Sequence, residues 1–187
     1  AAATRSADIA SIAVENFGYN PDEGTVVVEF DSQYASSGGQ VIAELGDGAS
    51  SSQRIRVYMS GASIRSNAII DGTNIAFFNL RDVSSPIASG KVAFAFSDND
   101  FASCIDGGTI FTDTSGVISS PSTPIATLKL GGFSASSSEN MNGHIRDFQY
   151  YPRRLTNRQL QEVTGATNTY DYTTVEAGTI TRSPVAT

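Results

Sequence analysis

The stretch NGHIRDFQYYPRRLTNRQLQEVT, residues 142–164, decides the fold. It reads as a strand that runs straight into a short capped helix. Ile145 and Phe148 are three apart and Tyr150 follows at two, so the alternation slips once, and a bulged residue near Asp147 accounts for the slip. Pro152 ends the strand, because it has no amide proton to give to a ladder. Thr156 then starts a helix as N-cap, and Gln159, three residues on, completes a capping box. Leu155 and Leu160 flank the cap as a hydrophobic staple, and Gly165 stands where the helix should close. A helix of about two turns is expected at the end of this strand.

Outward from that unit, the chain is strand after strand. Residues 24–31 put Val26, Val28 and Phe30 on one face and Val27, Glu29 and Asp31 on the other. Residues 40–45 group Val41, Ala43 and Leu45. Residues 54–60 alternate cleanly, with Ile55, Val57 and Met59 inward and Arg54, Arg56 and Tyr58 outward. Strands at 62–70 and 73–80 are separated by the turn pair Asp71 and Gly72. Residues 91–97 bury Val92, Phe94 and Phe96, and strands at 101–105, 109–111 and 126–130 follow, the last offering Leu128 and Leu130. Serine-rich patches at 49–52, 84–89 and 134–138 read as loops. About ten short strands with turn signals between them point to an all-β sandwich or barrel. The expected core is Val26, Val28, Phe30, Ile55, Val57, Phe94, Phe96, Leu128, Leu130 and Ile145.

Composition agrees and removes several function classes. The 187 residues suit one domain with a real core, and only 17% are charged. The net charge of −7 disfavours general nucleic-acid or anionic-membrane binding, both of which need basic patches. No run of about 18 apolar residues marks a membrane span. Cys104 is the only cysteine and makes no intrachain disulfide, so packing alone must hold the fold. It reads as a small apolar core residue. No signal-peptide pattern opens the chain, and a start at Ala1 rather than Met suggests a processed product or a piece of something longer. Residues 1–167 read as one sandwich domain. Residues 168–187 show no core pattern and read as an added edge strand or an arm.

The order TRSADIASI, NPDEGTVVVEF, KVAFAFSDNDFASCIDGG, ATLKLGG and then the closing stretch resembles a concanavalin A-like jelly roll. More narrowly, it is similar to the laminin-G/pentraxin-like domains of virion proteins of tailed bacteriophages and prophages. The resemblance covers residues 4–164. It implies two antiparallel sheets packed face to face, with one short C-terminal helix. It further implies a non-catalytic structural or adhesive role on a virion, in tail, fibre or head decoration. The partners would then be other virion subunits and host-surface glycan, and the state a homo-oligomer, with a trimer favoured. Fold alone does not settle function. The alternative is a carbohydrate-binding module of a secreted bacterial protein, and a glycoside hydrolase ranks below both.

The candidate sites follow from these readings. Glu29-Phe30-Asp31 is similar to the start of the metal site of legume lectins, yet the following SQYASSGGQ lacks the Asn, Asp and His that site needs. It is also similar to half of the Glu-x-Asp-x-x-Glu of β-glucanases, but Ser32, Gln33 and Tyr34 occupy the region of the second Glu. A retaining glycosidase needs two carboxyls about 5 Å apart, so no catalytic residue is assigned. Asp47, Asp98, Asp100, Asp106 and Asp113 sit in turns, where Asp is an ordinary residue. The resemblance makes calcium the one cofactor to consider, with Asp98 and Asp100 the nearest to a ligand loop. His144 has no Gly-x-Ser-x-Gly elbow to serve, and Arg153 and Arg154 read as solvated or paired. There is no Trp for sugar stacking. Tyr19, Tyr34 and Tyr58 are the tyrosines able to replace it, and Tyr58 shares an outward face with Arg54 and Arg56. Arg54, Arg56 and Tyr58 are therefore the candidate ligand-binding set, although such a face is equally suited to solvent or a protein contact.

Overall fold

The computed structural model describes residues 10–33, 39–83, 87–133, 139–165, 175–176 and 179–180. Eleven strands build its two main sheets: β1 (Ala10–Ala13), β2 (Glu23–Gln33), β3 (Gly39–Gly46), β4 (Arg54–Ser60), β5 (Ser63–Ile70), β6 (Thr73–Asp82), β7 (Ile87–Ser97), β8 (Phe101–Ile105), β9 (Phe111–Asp113), β10 (Thr127–Leu130) and β11 (Gly143–Tyr151). A helix, α1 (Asn157–Thr164), follows, and β12 (Val175–Glu176) pairs with β13 (Thr179–Ile180) in a separate ladder. The six-stranded sheet runs β1-β10-β3-β4-β5-β6 and the five-stranded sheet β11-β2-β7-β8-β9, with every pairing antiparallel. This is the concanavalin A-like jelly-roll sandwich with one short C-terminal helix.

The period-two pattern places the core. Val26, Val28 and Phe30 of β2, Ile55, Val57 and Met59 of β4, and Phe94 and Phe96 of β7 all lie in one buried cluster between the sheets. Phe78 of β6 meets Phe94 edge-on at 6.0 Å, so rings from both sheets interlock. A hydrogen bond also crosses this interior: Ser66 Oγ of β5 donates to Ser103 Oγ of β8 at 2.9 Å, and Ser103 Oγ donates to the Ala93 carbonyl. Leu128 is buried, whereas the expected core residues Leu130 and Ile145 are only partly buried at its edge.

The closing unit forms as its residues dictate. The β11 register shifts between Ile145 and Asp147, and the strand stops at Tyr151, before Pro152. Thr156 caps α1 with both halves of the capping box in place. Leu155 and Leu160 then bury themselves against Val27, Ala93, Ala95, Ala102 and Cys104 on the outer face of the five-stranded sheet. The helix thus builds a second, smaller core, which is why Val27 and Cys104 are buried although they face away from the main one. Gly165 ends the helix with φ −59°, not in the left-handed conformation common at helix ends. The close approach here is that of Gly107, at φ +67°, where an added Cβ would stand 2.9 Å from the Gly165 Cα.

Several expectations need correction. Residues 87–89 of the serine-rich 84–89 segment are the start of β7 and pair with residues 31–33 of β2, because a long β2 extends its ladder past Lys91. Residues 84–86 and 134–138, and Tyr34, lie outside the described residues. The strand expected at 109–111 is β9 at Phe111–Asp113. Val41 does not group with Ala43 and Leu45: a register shift between Val41 and Ala43 sets Val41 opposite Tyr58 on the outer face and brings Ile42 into the core. Of the expected 168–187 arm, the described residues 175–176 and 179–180 pair with each other.

Candidate functional site

The outer face of the six-stranded sheet carries a polar row fixed by register. Lys129 of β10 lies opposite Glu44 of β3, Glu44 opposite Arg56 of β4, Arg56 opposite Asn67 of β5, and Asn67 opposite Phe77 of β6. A second row runs Val41, Tyr58, Arg65 and Asn79. Arg54, two residues before Arg56, extends the same face. The structure therefore brings Arg54, Arg56 and Tyr58 together on the face expected of them.

That face is not the solvated surface its alternation suggests. Arg54 is 3% exposed and Tyr58 7%. The cover comes from the segment after β10, where Phe133 is buried with its ring 3.9 Å from the Arg54 guanidinium carbon. Glu139, further along that segment, accepts from Arg54 Nη2 at 2.9 Å and from Arg56 Nη1 at 3.2 Å. Arg54 Nε donates to Glu44 Oε2 at 2.6 Å, and Arg56 Nε donates to Asn67 Oδ1 at 2.9 Å. The Arg56 guanidinium carbon lies over the Tyr58 ring, 4.0 Å from its centroid, in a cation–π contact. Burial pushes Glu44 above the usual carboxylate range even though Arg54 and Arg56 pull it down. Burial, and then the neighbouring Arg54, lowers Arg56.

Toward β6 the face opens. Phe77 is 45% exposed, and the Arg65 guanidinium carbon lies 5.7 Å from its ring centroid. Arg65 Nε is buried and has no hydrogen-bond partner among the described residues. The exposed Phe77 ring is an apolar platform of the kind a sugar site uses, with the Arg65 guanidinium beside it. Arg65, Asn67, Phe77, Glu44 and Glu139 were not singled out from sequence. The alternation of 63–70 contains the signal for Arg65 and Asn67, but Glu139 sits beside a serine-rich segment with no pattern pointing to a sheet face.

The other candidates are occupied by local structure. Asp98 accepts from the backbone amides of Ile118 and Ser119 and from the Ser119 hydroxyl, and Asp100 accepts from Arg154 Nη2 at 2.8 Å. The two calcium candidates thus tie down a loop and an arginine. Asp47 and Asp113 likewise accept from amides in their own turns, and Asp106 accepts from the Lys91 amide of the neighbouring β7 and from Arg81 Nη1. No group of three or more His, Cys, Asp or Glu is placed to hold a metal among the described residues. Glu29 lies opposite both Asp147 and Lys91, and Lys91 Nζ is 4.0 Å from Glu29 and 3.8 Å from Asp147. Asp31 accepts from Arg146 Nε at 2.8 Å and meets His144 Nδ1 at 2.9 Å, and these two bonds hold its carboxyl below the usual range. Tyr19 is partly buried and packed beside Tyr150, where burial raises its phenol.

No family model matches the chain, and no curated protein matches it. Solved structures do. The chain is similar to the CBM40 of the Ruminococcus gnavus IT-sialidase bound to α2,3-sialyllactose, with 21% identity and a TM-score of 0.63 over 79% of this chain and 84% of that one. It is also similar to part of the NanB sialidase from Streptococcus pneumoniae, with 14% identity and a TM-score of 0.64 over 87% of this chain but 27% of that one. A heptameric SAP-like pentraxin from Limulus polyphemus shares 15% identity, with a TM-score of 0.59 over 87% of this chain and 84% of that one. At these identities the likeness establishes the sandwich fold. None of these three proteins comes from a phage.

Proposed function

We propose that this is a non-catalytic glycan-binding domain whose ligand is an acidic sugar of the kind sialyllactose carries. The outer face of the six-stranded sheet is the binding surface. One observation carries the reading: Arg56 and Arg65 stand beside Tyr58, Asn67 and the exposed Phe77 on a single sheet face, in a chain of net charge −7. Guanidinium forks match carboxylate geometry, and the Phe77 ring is open to a sugar face. Arg54 contributes from beneath, as the buried anchor of Glu44 and Glu139. The likeness to sandwiches solved with sialyllactose supports the same choice over a catalytic one.

The test is calorimetry with 3′-sialyllactose, 6′-sialyllactose and lactose. Both sialyllactoses should bind more tightly than lactose. Arg56→Ala and Arg65→Ala should each weaken binding about tenfold or more, and Phe77→Ala should weaken both acidic and neutral ligands. Equal binding of lactose and sialyllactose, or intact binding in both arginine variants, would reject the reading.

We place this task outside the cell, on a secreted bacterial protein or on a virion, since surface glycans are met there. The virion placement draws on the sequence resemblance alone. Self-association, with a trimer as the expected assembly, would multiply weak sites through avidity. Sedimentation velocity checks it, and a monomer across the working concentration range would remove the trimer from the proposal.

A further inference from the structure

The two carboxylates that meet the arginines of this face are placed differently. Glu44 is 3% exposed and, among the described residues, makes its ion pair with Arg54, through Arg54 Nε at 2.6 Å. Glu139 is 27% exposed, and a single oxygen, Oε2, takes both Arg54 Nη2 and Arg56 Nη1. Arg56 makes its one ion pair among the described residues with Glu139; its other partners, the Asn67 amide oxygen and the Tyr58 ring, are neutral. If Glu139 turned away, Arg54 would keep Glu44 and Phe133, and Arg56 would keep Asn67 and Tyr58. The guanidinium pair would therefore hold its geometry with one anion position empty.

We propose that Glu139 is a built-in competitor for the acidic ligand, occupying the anion position between Arg54 and Arg56 until a ligand carboxylate displaces it. The inference rests on the acidic-glycan reading above. Glu44 is the permanent counter-ion and Glu139 the exchangeable one, because a part-exposed ion pair is cheap to break and a buried one is not. A tethered carboxylate acts at an effective concentration of the order of millimolar, so it screens the site against weak free anions. Rotation of one side chain is enough for the exchange.

The experiment compares the native chain with Glu139→Gln, and with Glu139→Ala as a second variant. Acetate is the carboxylate probe, followed by NMR at the Nε–H resonances of Arg54 and Arg56. The expected result is at least about fivefold tighter acetate binding in both variants, with the Arg56 signal moving most. Unchanged or weaker acetate binding together with a lowered melting temperature makes Glu139 a structural tie and overturns the proposal. Sialyllactose separates the two ideas. Tighter acetate binding with no sialyllactose binding by any of the proteins retains the competitor and rejects the glycan. Native binding of sialyllactose that neither variant improves retains the glycan and rejects the competitor.

Discussion

Arg54 Nε donates to Glu44 Oε2 at 2.6 Å, and the two side chains are 4% and 3% exposed although both face away from the main core. Burial raises Glu44 in spite of this partner. A carboxyl raised in the fold contributes most below its unfolded pKa, and that contribution is lost as pH rises through the folded value. At neutral pH the pair is therefore a burden that its geometry only offsets. Arg54→Met should cost about 3 kcal/mol, because it strands Glu44 in a dry site, while Glu44→Met/Arg54→Met together should fall within about 1 kcal/mol of the native chain. Urea unfolding of the single and double variants decides it. Losses that simply add would mean that the two side chains are not coupled, and would contradict this account of the pair.

Leu160→Ala removes the anchor of the second core and should cost about 2–4 kcal/mol. Loosening α1 should also open Cys104, which is buried beneath it and whose thiol is raised by burial. Thr156→Ala, which breaks the capping box, should cost about 1 kcal/mol. Thiol labelling under native conditions should then run fastest in Leu160→Ala, next in Thr156→Ala and slowest in the native chain. Equal labelling rates would mean that α1 does not guard the thiol.

The serine bridge between the sheets is asymmetric. Ser103 Oγ donates to the Ala93 carbonyl and accepts from Ser66 Oγ. Ser66→Ala leaves the Ser103 donor satisfied and should cost about 1 kcal/mol or less. Ser103→Ala leaves a fully buried Ser66 hydroxyl without its acceptor and should cost about 1–3 kcal/mol. Thermal or urea unfolding ranks the two, and the reverse order would contradict the bonding direction.

Asp98 is held below the ordinary aspartate value, chiefly by the Ser119 hydroxyl. A carboxyl lowered in the fold stabilises fully above its unfolded pKa, and the contribution is lost as pH falls through the folded value. Asp98→Ala should cost about 1 kcal/mol at neutral pH, a figure reduced for solvent exposure. The gap to the native chain should close progressively in the acid range. A gap that stays constant as the solution is acidified would assign the loss to the backbone of the loop rather than to the charge.

The sequence by itself determined most of the elements and, where no bulge intervenes, their faces. The 54–60 and 101–105 strands, the Asp71–Gly72 turn with φ of +51° and +75°, the slip beside Asp147 and the capping box at Thr156 all appear where the residues placed them. Each is a local matter of period, missing donors or side-chain reach, and so is legible along the chain. It also put Arg54, Arg56 and Tyr58 on one side of β4. Only the tertiary structure decided what covers that side. Glu139 lies 85 residues from Arg54 in sequence and 2.9 Å away in space. Alternation tells a side chain which face of a sheet it takes, but a strand has two faces and both can be buried. Which outward polar groups keep their water depends on a distant segment folding back over them, and no local period encodes that contact.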